Sequence, residues 1–205
     1  MHPEAITPER KKIFDKLKNF PEFYLVGGTG LAMQLGHRIS IDFDMFWKKD
    51  IPQNLLRKIR RIFEGSKIRV KVNHSEQLSV DIDGVKVDFV KYPYPLILKP
   101  IKYQGINILK IPEIAAMKAQ TLGQRITYKD YIDLYFILKN KIVSIVKIIN
   151  ICQKKYKDEF NARLFLEQLV CIEDVEEVKI QFLKKPVGKE KMKKFFENEI
   201  RKIKL

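Results

Sequence analysis

Cysteine is nearly absent from this chain: Cys152 and Cys171 are the only two in 205 residues, both in apolar surroundings of helical character. Two thiols do not make a disulfide framework, so the fold has to be held by its core. Histidine is as scarce. With only His2, His37 and His74, no zinc cluster or histidine-based triad is assembled, and His37, near a helix end, reads as a cap. No apolar run approaches the ~20 residues of a membrane span, and the opening Met-His-Pro-Glu lacks the basic-then-apolar plan of a signal peptide. A cytoplasmic location is the expectation. Acidic residues are the minority, 25 against 40 basic, for a net charge of +15. Such an excess is the electrostatic footprint of a nucleic-acid partner, although a lysine-rich thermophilic or AT-rich source would produce it too. The hydrophobic content of 45% excludes a disordered chain and suffices for one sizeable core or two small domains.

The most informative stretch runs from Phe23 to Phe46. Phe23 to Val26 has strand character, and Gly27-Gly28 ends it. Thr29 is placed to cap a short helix whose apolar stripe is Leu31, Ala32 and Leu35, and Gly36 stops that helix. A second strand, Ile41 to Trp47, puts Asp42, Asp44 and Phe46 on one face and Ile41, Phe43, Met45 and Trp47 on the other. A glycine turn feeding a helix N-terminus suits a triphosphate, because unpaired N–H groups and the helix dipole point at it. Two carboxylates on one strand face suit Mg²⁺ (or Mn²⁺), which completes its shell with water and substrate phosphates. Phosphate cradle and metal seat are adjacent, as phosphoryl or nucleotidyl transfer requires.

Gly28-Thr29, twelve residues, then Asp42-Phe43-Asp44 resembles the signature of the polymerase-β-type nucleotidyltransferase superfamily, with threonine where serine is usual. The fuller string adds Leu31-Ala32, Leu35-Gly36-His37-Arg38, Ser40 and Met45-Phe46, and is similar to the AbiEii/AbiGii-type nucleotidyltransferase toxins. Met117-Lys118-Ala119, Arg125 and Lys129-Asp130-Tyr131-Ile132-Asp133-Leu134-Tyr135 resemble the second signature of that family. The resemblance covers roughly residues 23 to 138. It implies an α+β fold: a nucleotidyltransferase core with a small mixed or antiparallel sheet flanked by helices, then a C-terminal helical domain. It also implies an NTP substrate, an RNA acceptor (tRNA above all) and a companion antitoxin. Protein nucleotidylation is the second enzyme reading, and a non-catalytic basic RNA-binding protein on the same scaffold is the reading from another class.

The chain divides near residue 110, giving a core at 1–110 and a helical domain at 111–205. Strand-like runs at 68–72, 78–82, 85–90 and 106–111 precede that point, with Asp83-Gly84 a hairpin signal. A helix from about Pro52 to Phe63 interrupts them, and after Pro112 nearly everything reads as helix. A third metal carboxylate is expected, and Asp81, Asp83 and Asp88 are the candidates. Asp83 belongs to the turn and Asp81 can face solvent; Asp88 stands among apolar neighbours, where a carboxylate needs a partner or a metal. Lys118, Arg125 and Lys129 share one face if their helix is continuous, where they could neutralise the triphosphate. Asp133 either pairs with Lys129 within the helix or, by resemblance, positions a cation. By resemblance too, Arg38 reaches phosphate and Ser40 buttresses the loop. Two basic clusters, Arg57-Lys58-Arg60-Arg61 and Lys184 to Lys194, either hold RNA phosphates or are solvated faces.

Overall fold

The computed structural model describes residues 1–125 and 127–203. Helix α1 (Pro8–Leu17) leads to strand β1 (Tyr24–Leu25), helix α2 (Gly27–Leu35), β2 (Phe43–Trp47) and α3 (Leu55–Ile62). The strands β3 (Ile68–His74), β4 (Gln77–Ile82) and β5 (Val85–Lys91) follow, then β6 (Ile101–Tyr103) and β7 (Ile106–Ile108). Helices α4 (Ile111–Leu122), α5 (Tyr128–Lys139), α6 (Ile145–Tyr156), α7 (Ala162–Val170) and α8 (Lys189–Arg201) complete the described chain. The strands form one sheet in the order β3-β4-β5-β2-β1-β7-β6, antiparallel except for the β2–β5 and β1–β7 pairs. The architecture is α+β with a mixed sheet.

Side-chain alternation along β2 divides the interior. Phe43 and Met45 enter a core with Ile13, Phe14 and Leu17 of α1 and Leu55 and Ile59 of α3, whereas Phe46 packs on the other face against a core built by α4 to α8. Helix α2 bridges the two, giving Ala32 and Met33 to the first core and Leu31 and Leu35 to the second. Its ends are set by glycine. Gly27 adopts φ +62° and Gly36 φ +58°, both in the left-handed region that glycine enters without steric cost. The β4–β5 hairpin turns at Asp83 and Gly84, both with positive φ, as an Asp-Gly turn requires.

Several expectations are corrected. Thr29 does not cap α2: Val26 occupies that position, and Thr29 lies in the first turn with its hydroxyl turned to the strand that follows. The run at 106–111 pairs only through Ile108, because α4 already starts at Ile111 with Pro112 in its first turn. Strand β6, which pairs with β7, carries no alternation long enough to announce itself. Finally, α4 ends at Leu122 before Gly123, so Lys118, Arg125 and Lys129 do not ride one continuous helix.

Candidate active site

Strands β2 and β5 run parallel with Asp44 opposite Asp88, so both carboxylates rise from the same face of the sheet. Asp42 precedes β2 on that face, and all three line a cavity of about 760 Å³. Gly27 and Gly28 form its floor. A Cβ on Gly27 would stand 2.0 Å from Asp44 Oδ2, and one on Gly28 would stand 2.5 Å from Arg38 Nη2. The glycines therefore let a carboxylate and a guanidinium lie directly on the backbone at the start of α2. The first intrahelical bond there is Gly30 N–H to Val26 O, which leaves the preceding N–H groups without a helical acceptor at the cavity floor. Thr29 shares a 2.8 Å hydrogen bond with the Ser40 hydroxyl and donates to the Asp42 carbonyl, tying the helix to the strand that carries the acids.

Asp88 is not an open ligand. Ser79 Oγ donates to its Oδ1, and Lys86 Nζ stands 2.6 Å from its Oδ2. Asp44 makes no hydrogen bond or ion pair among the described residues; burial first, then Asp88 and Asp42, push its carboxyl up to about 6. Asp133 is fully buried. Arg38 engages it through Nε at 2.8 Å and Nη2 at 2.9 Å, His37 Nε2 is 2.7 Å away, and Lys118 Nζ is 2.6 Å from Oδ2. Lys118 also contacts Asp130 Oδ1 at 2.6 Å. Burial alone would raise the Asp133 carboxyl, but Arg38 and Lys118 outweigh it and hold the group well below the usual carboxylate range. Burial lowers His37 despite Asp133, and its Nδ1 has no partner among the described residues.

The expected site residues thus fall into two layers. Gly28, Arg38, Ser40, Asp42, Asp44, Asp88, Lys118, Arg125 and Lys129 line the cavity; Thr29 and Asp133 lie behind that surface. Asp133 does not pair with Lys129, and His37 is no helix cap but a buried partner of Asp133. Arg125, in the α4–α5 connection, and Lys129 line the cavity without an ion pair among the described residues. Sequence reasoning put Phe46 on the acid face but passed over Lys86, Asp130 and the tyrosines Tyr92, Tyr94 and Tyr156 that complete the aromatic side of the cavity. A period-2 reading would have found Lys86, two residues before Asp88 on the same strand face. Tyr92 and Tyr156 are 64 positions apart and meet only through the fold.

The acid set fits a hard divalent cation in kind: carboxylate oxygens from adjacent strands, with Asp44 destabilised as an anion by burial and then by Asp88 and Asp42. Among the described residues, however, no three His, Cys, Asp or Glu side chains stand close enough to hold one ion. The Lys86 ammonium occupies one oxygen of Asp88.

Acid pair and glycine turn at one cavity are the arrangement that nucleotidyl transfer calls for. Comparison with known proteins agrees. The family described as "Nucleotidyl transferase AbiEii toxin, Type IV TA system" matches residues 12–204, and the chain belongs to it. An uncharacterized protein of Aquifex aeolicus (strain VF5) is 34% identical over 158 residues, 76% of each chain. MenT4, a nucleotidyltransferase toxin from Mycobacterium tuberculosis H37Rv, has a similar fold, with a TM-score of 0.60 at 16% identity over 93% of this chain and 85% of that one. JHP933 from Helicobacter pylori superposes with a TM-score of 0.54 at 16% identity, over 96% and 97% of the two chains. The protein is a nucleotidyltransferase toxin, and its family implies an NTP substrate and an antitoxin partner. No helix among the described residues is long and apolar enough to cross a membrane.

Proposed function

We propose that this protein transfers a nucleoside monophosphate from an NTP to a hydroxyl of RNA, most simply of tRNA. The observation that carries the reading is the meeting of Asp42, Asp44 and Asp88 with the glycine floor of α2 in one cavity. Asp42 and Asp44 would hold Mg²⁺ or Mn²⁺, with Asp88 joining once Lys86 moves aside. Such an ion supplies charge neutralisation at the transferred phosphate and a more acidic attacking hydroxyl. The residues of the chain do the rest. N–H groups at the start of α2 receive the β and γ phosphates, and Arg38, fixed by the bidentate Asp133 pair, lies against Gly28 beside them. Attack of the acceptor oxygen on the α-phosphorus forms one P–O bond and breaks another, and pyrophosphate leaves. Lys118 lines the cavity and, held between Asp130 and Asp133, offsets part of the developing charge. Arg125 and Lys129, which form no ion pair among the described residues, supply the remainder.

Incubation with each labelled NTP, Mg²⁺ and total RNA tests the proposal. Labelled RNA with free pyrophosphate is expected, and Asp44→Asn, which removes the charge but keeps the volume, should abolish labelling without unfolding the protein. Label confined to a protein band would move the acceptor to protein, and wild-type transfer by Asp44→Asn would overturn the role of the acid pair.

A further inference from the structure

One side of the active-site cavity is unlike the rest. Where the glycine floor and acid cluster are polar, Phe46, Tyr92 and Tyr94 present rings, with the buried Tyr156 ring behind them. The rings pack on one another: Phe46–Tyr92 at 5.2 Å, Tyr92–Tyr94 at 5.1 Å and Tyr94–Tyr156 at 4.8 Å between centroids. Their hydroxyls are already committed. Those of Tyr92 and Tyr156 share a 2.5 Å hydrogen bond, and that of Tyr94 donates to Glu159 at 2.5 Å. What the tyrosines can offer an incoming group is therefore ring surface, held in place before anything binds. Lys155 Nζ, 5.0 Å from the Tyr92 centroid, and its partner Glu113, which accepts the N–H groups of Ile97 and Leu98, brace the segment from behind.

The position of this wall follows from the strands. Phe46 lies two residues beyond Asp44 on the same face of β2, about 7 Å along the strand, and Tyr92 follows the end of β5 on the face of Asp88. A ligand with its phosphates over the α2 N-terminus and acids would thus extend its other end along the sheet toward the rings. We infer that the Phe46–Tyr92–Tyr94–Tyr156 wall is the subsite for the nucleobase of the donor NTP. The inference rests on the phosphate placement proposed above. A base packed on rings whose hydroxyls are occupied is recognised by its π-face, which all four bases share. The wall therefore fixes the nucleoside without strongly choosing its identity.

The test separates the base from the phosphates. Affinities of the four NTPs and of inorganic tripolyphosphate are measured calorimetrically in the same Mg²⁺ buffer for the wild type, Tyr94→Leu and Tyr94→Phe, with each variant's melting checked. Tyr94→Leu should weaken every NTP by about fivefold or more and leave tripolyphosphate unchanged, and Tyr94→Phe should bind NTPs like the wild type. Equal weakening of NTP and tripolyphosphate, or loss in Tyr94→Phe as large as in Tyr94→Leu, would overturn the subsite. So would unchanged NTP affinity with a raised KM for RNA, which would give the wall to the acceptor. If tripolyphosphate fails to bind the wild type while Tyr94→Leu still weakens NTPs, the wall stands and the phosphate placement falls.

Discussion

Gly27 shows how much a single missing Cβ decides. Its φ of +62° would strain any side chain, and a Cβ there would force Asp44 Oδ2, 2.0 Å away, to move. Gly27→Ala should cost about 1–2 kcal/mol in backbone strain. Its larger effect should be on chemistry, because displacing Asp44 by an ångström is worth on the order of 100-fold in rate. Transfer assays beside denaturation curves check this: a variant as active as the wild type would show that Asp44 need not sit on that backbone. His37 carries a different consequence. It faces Asp133, with Arg38 and Lys118 already held on the same carboxylate, and burial lowers its pKa. The unfolded ring titrates near 6.5, so above that pH neither state binds the proton and the contribution of His37 is fully present. As pH falls below 6.5 the unfolded state takes the proton first, and stability declines toward the folded pKa. Urea midpoints between pH 7.5 and 5 should fall more steeply for the wild type than for His37→Asn; parallel slopes would sink the assignment.

At the scale of elements, the acid strand and the glycine turn were legible because their chemistry is local. Period 2 placed Asp42, Asp44 and Phe46 together, the αL glycine ended α2 at Gly36, and Asp83-Gly84 made its hairpin. What could not be read was pairing across the fold. Asp133 meets Arg38 over 95 positions, and a helical i, i+4 rule pointed to Lys129 instead. Thr29 read as a cap because threonine often caps, yet its hydroxyl found a carbonyl thirteen residues on. The Glu113–Lys155 pair, which joins α4 to α6, is of the same unreadable kind. Burial lowers the Lys155 pKa despite the opposing effect of Glu113. Lys155→Met alone leaves the Glu113 carboxylate buried with only two N–H donors and should cost about 3–5 kcal/mol. Adding Glu113→Gln, which keeps an acceptor for those N–H groups, should recover much of that loss. Equal stability of single and double variants by chemical denaturation would show that the pair is not coupled.

On the scale of the molecule, the proposed RNA acceptor raises the question of where a net charge of +15 would meet it. The basic residues of α3 were one candidate, but α3 packs on the core that faces away from the cavity, and its Lys58 is engaged with Glu22 and the Phe20 ring. The other cluster is better placed. Residues 181–184 run beside 37–39, with Ile39 N–H bonded to Gln181 O and Leu183 N–H to His37 O, so exposed Lys184 and Lys185 lie next to the strand entry that delivers Arg38. Arg125 and Lys129 line the cavity itself. An RNA whose reactive hydroxyl enters there would cross Lys184 and Lys185 on the way. Lys184→Glu with Lys185→Glu should therefore raise the KM for RNA, flatten the salt dependence of RNA binding by roughly two ion contacts, and leave NTP affinity unchanged. The matched control is Arg57→Glu with Arg61→Glu on α3, which alters net charge by the same amount on the far face. Were the two double variants to weaken RNA equally, the effect would be one of overall charge, and the proposed path along residues 181–185 would be wrong.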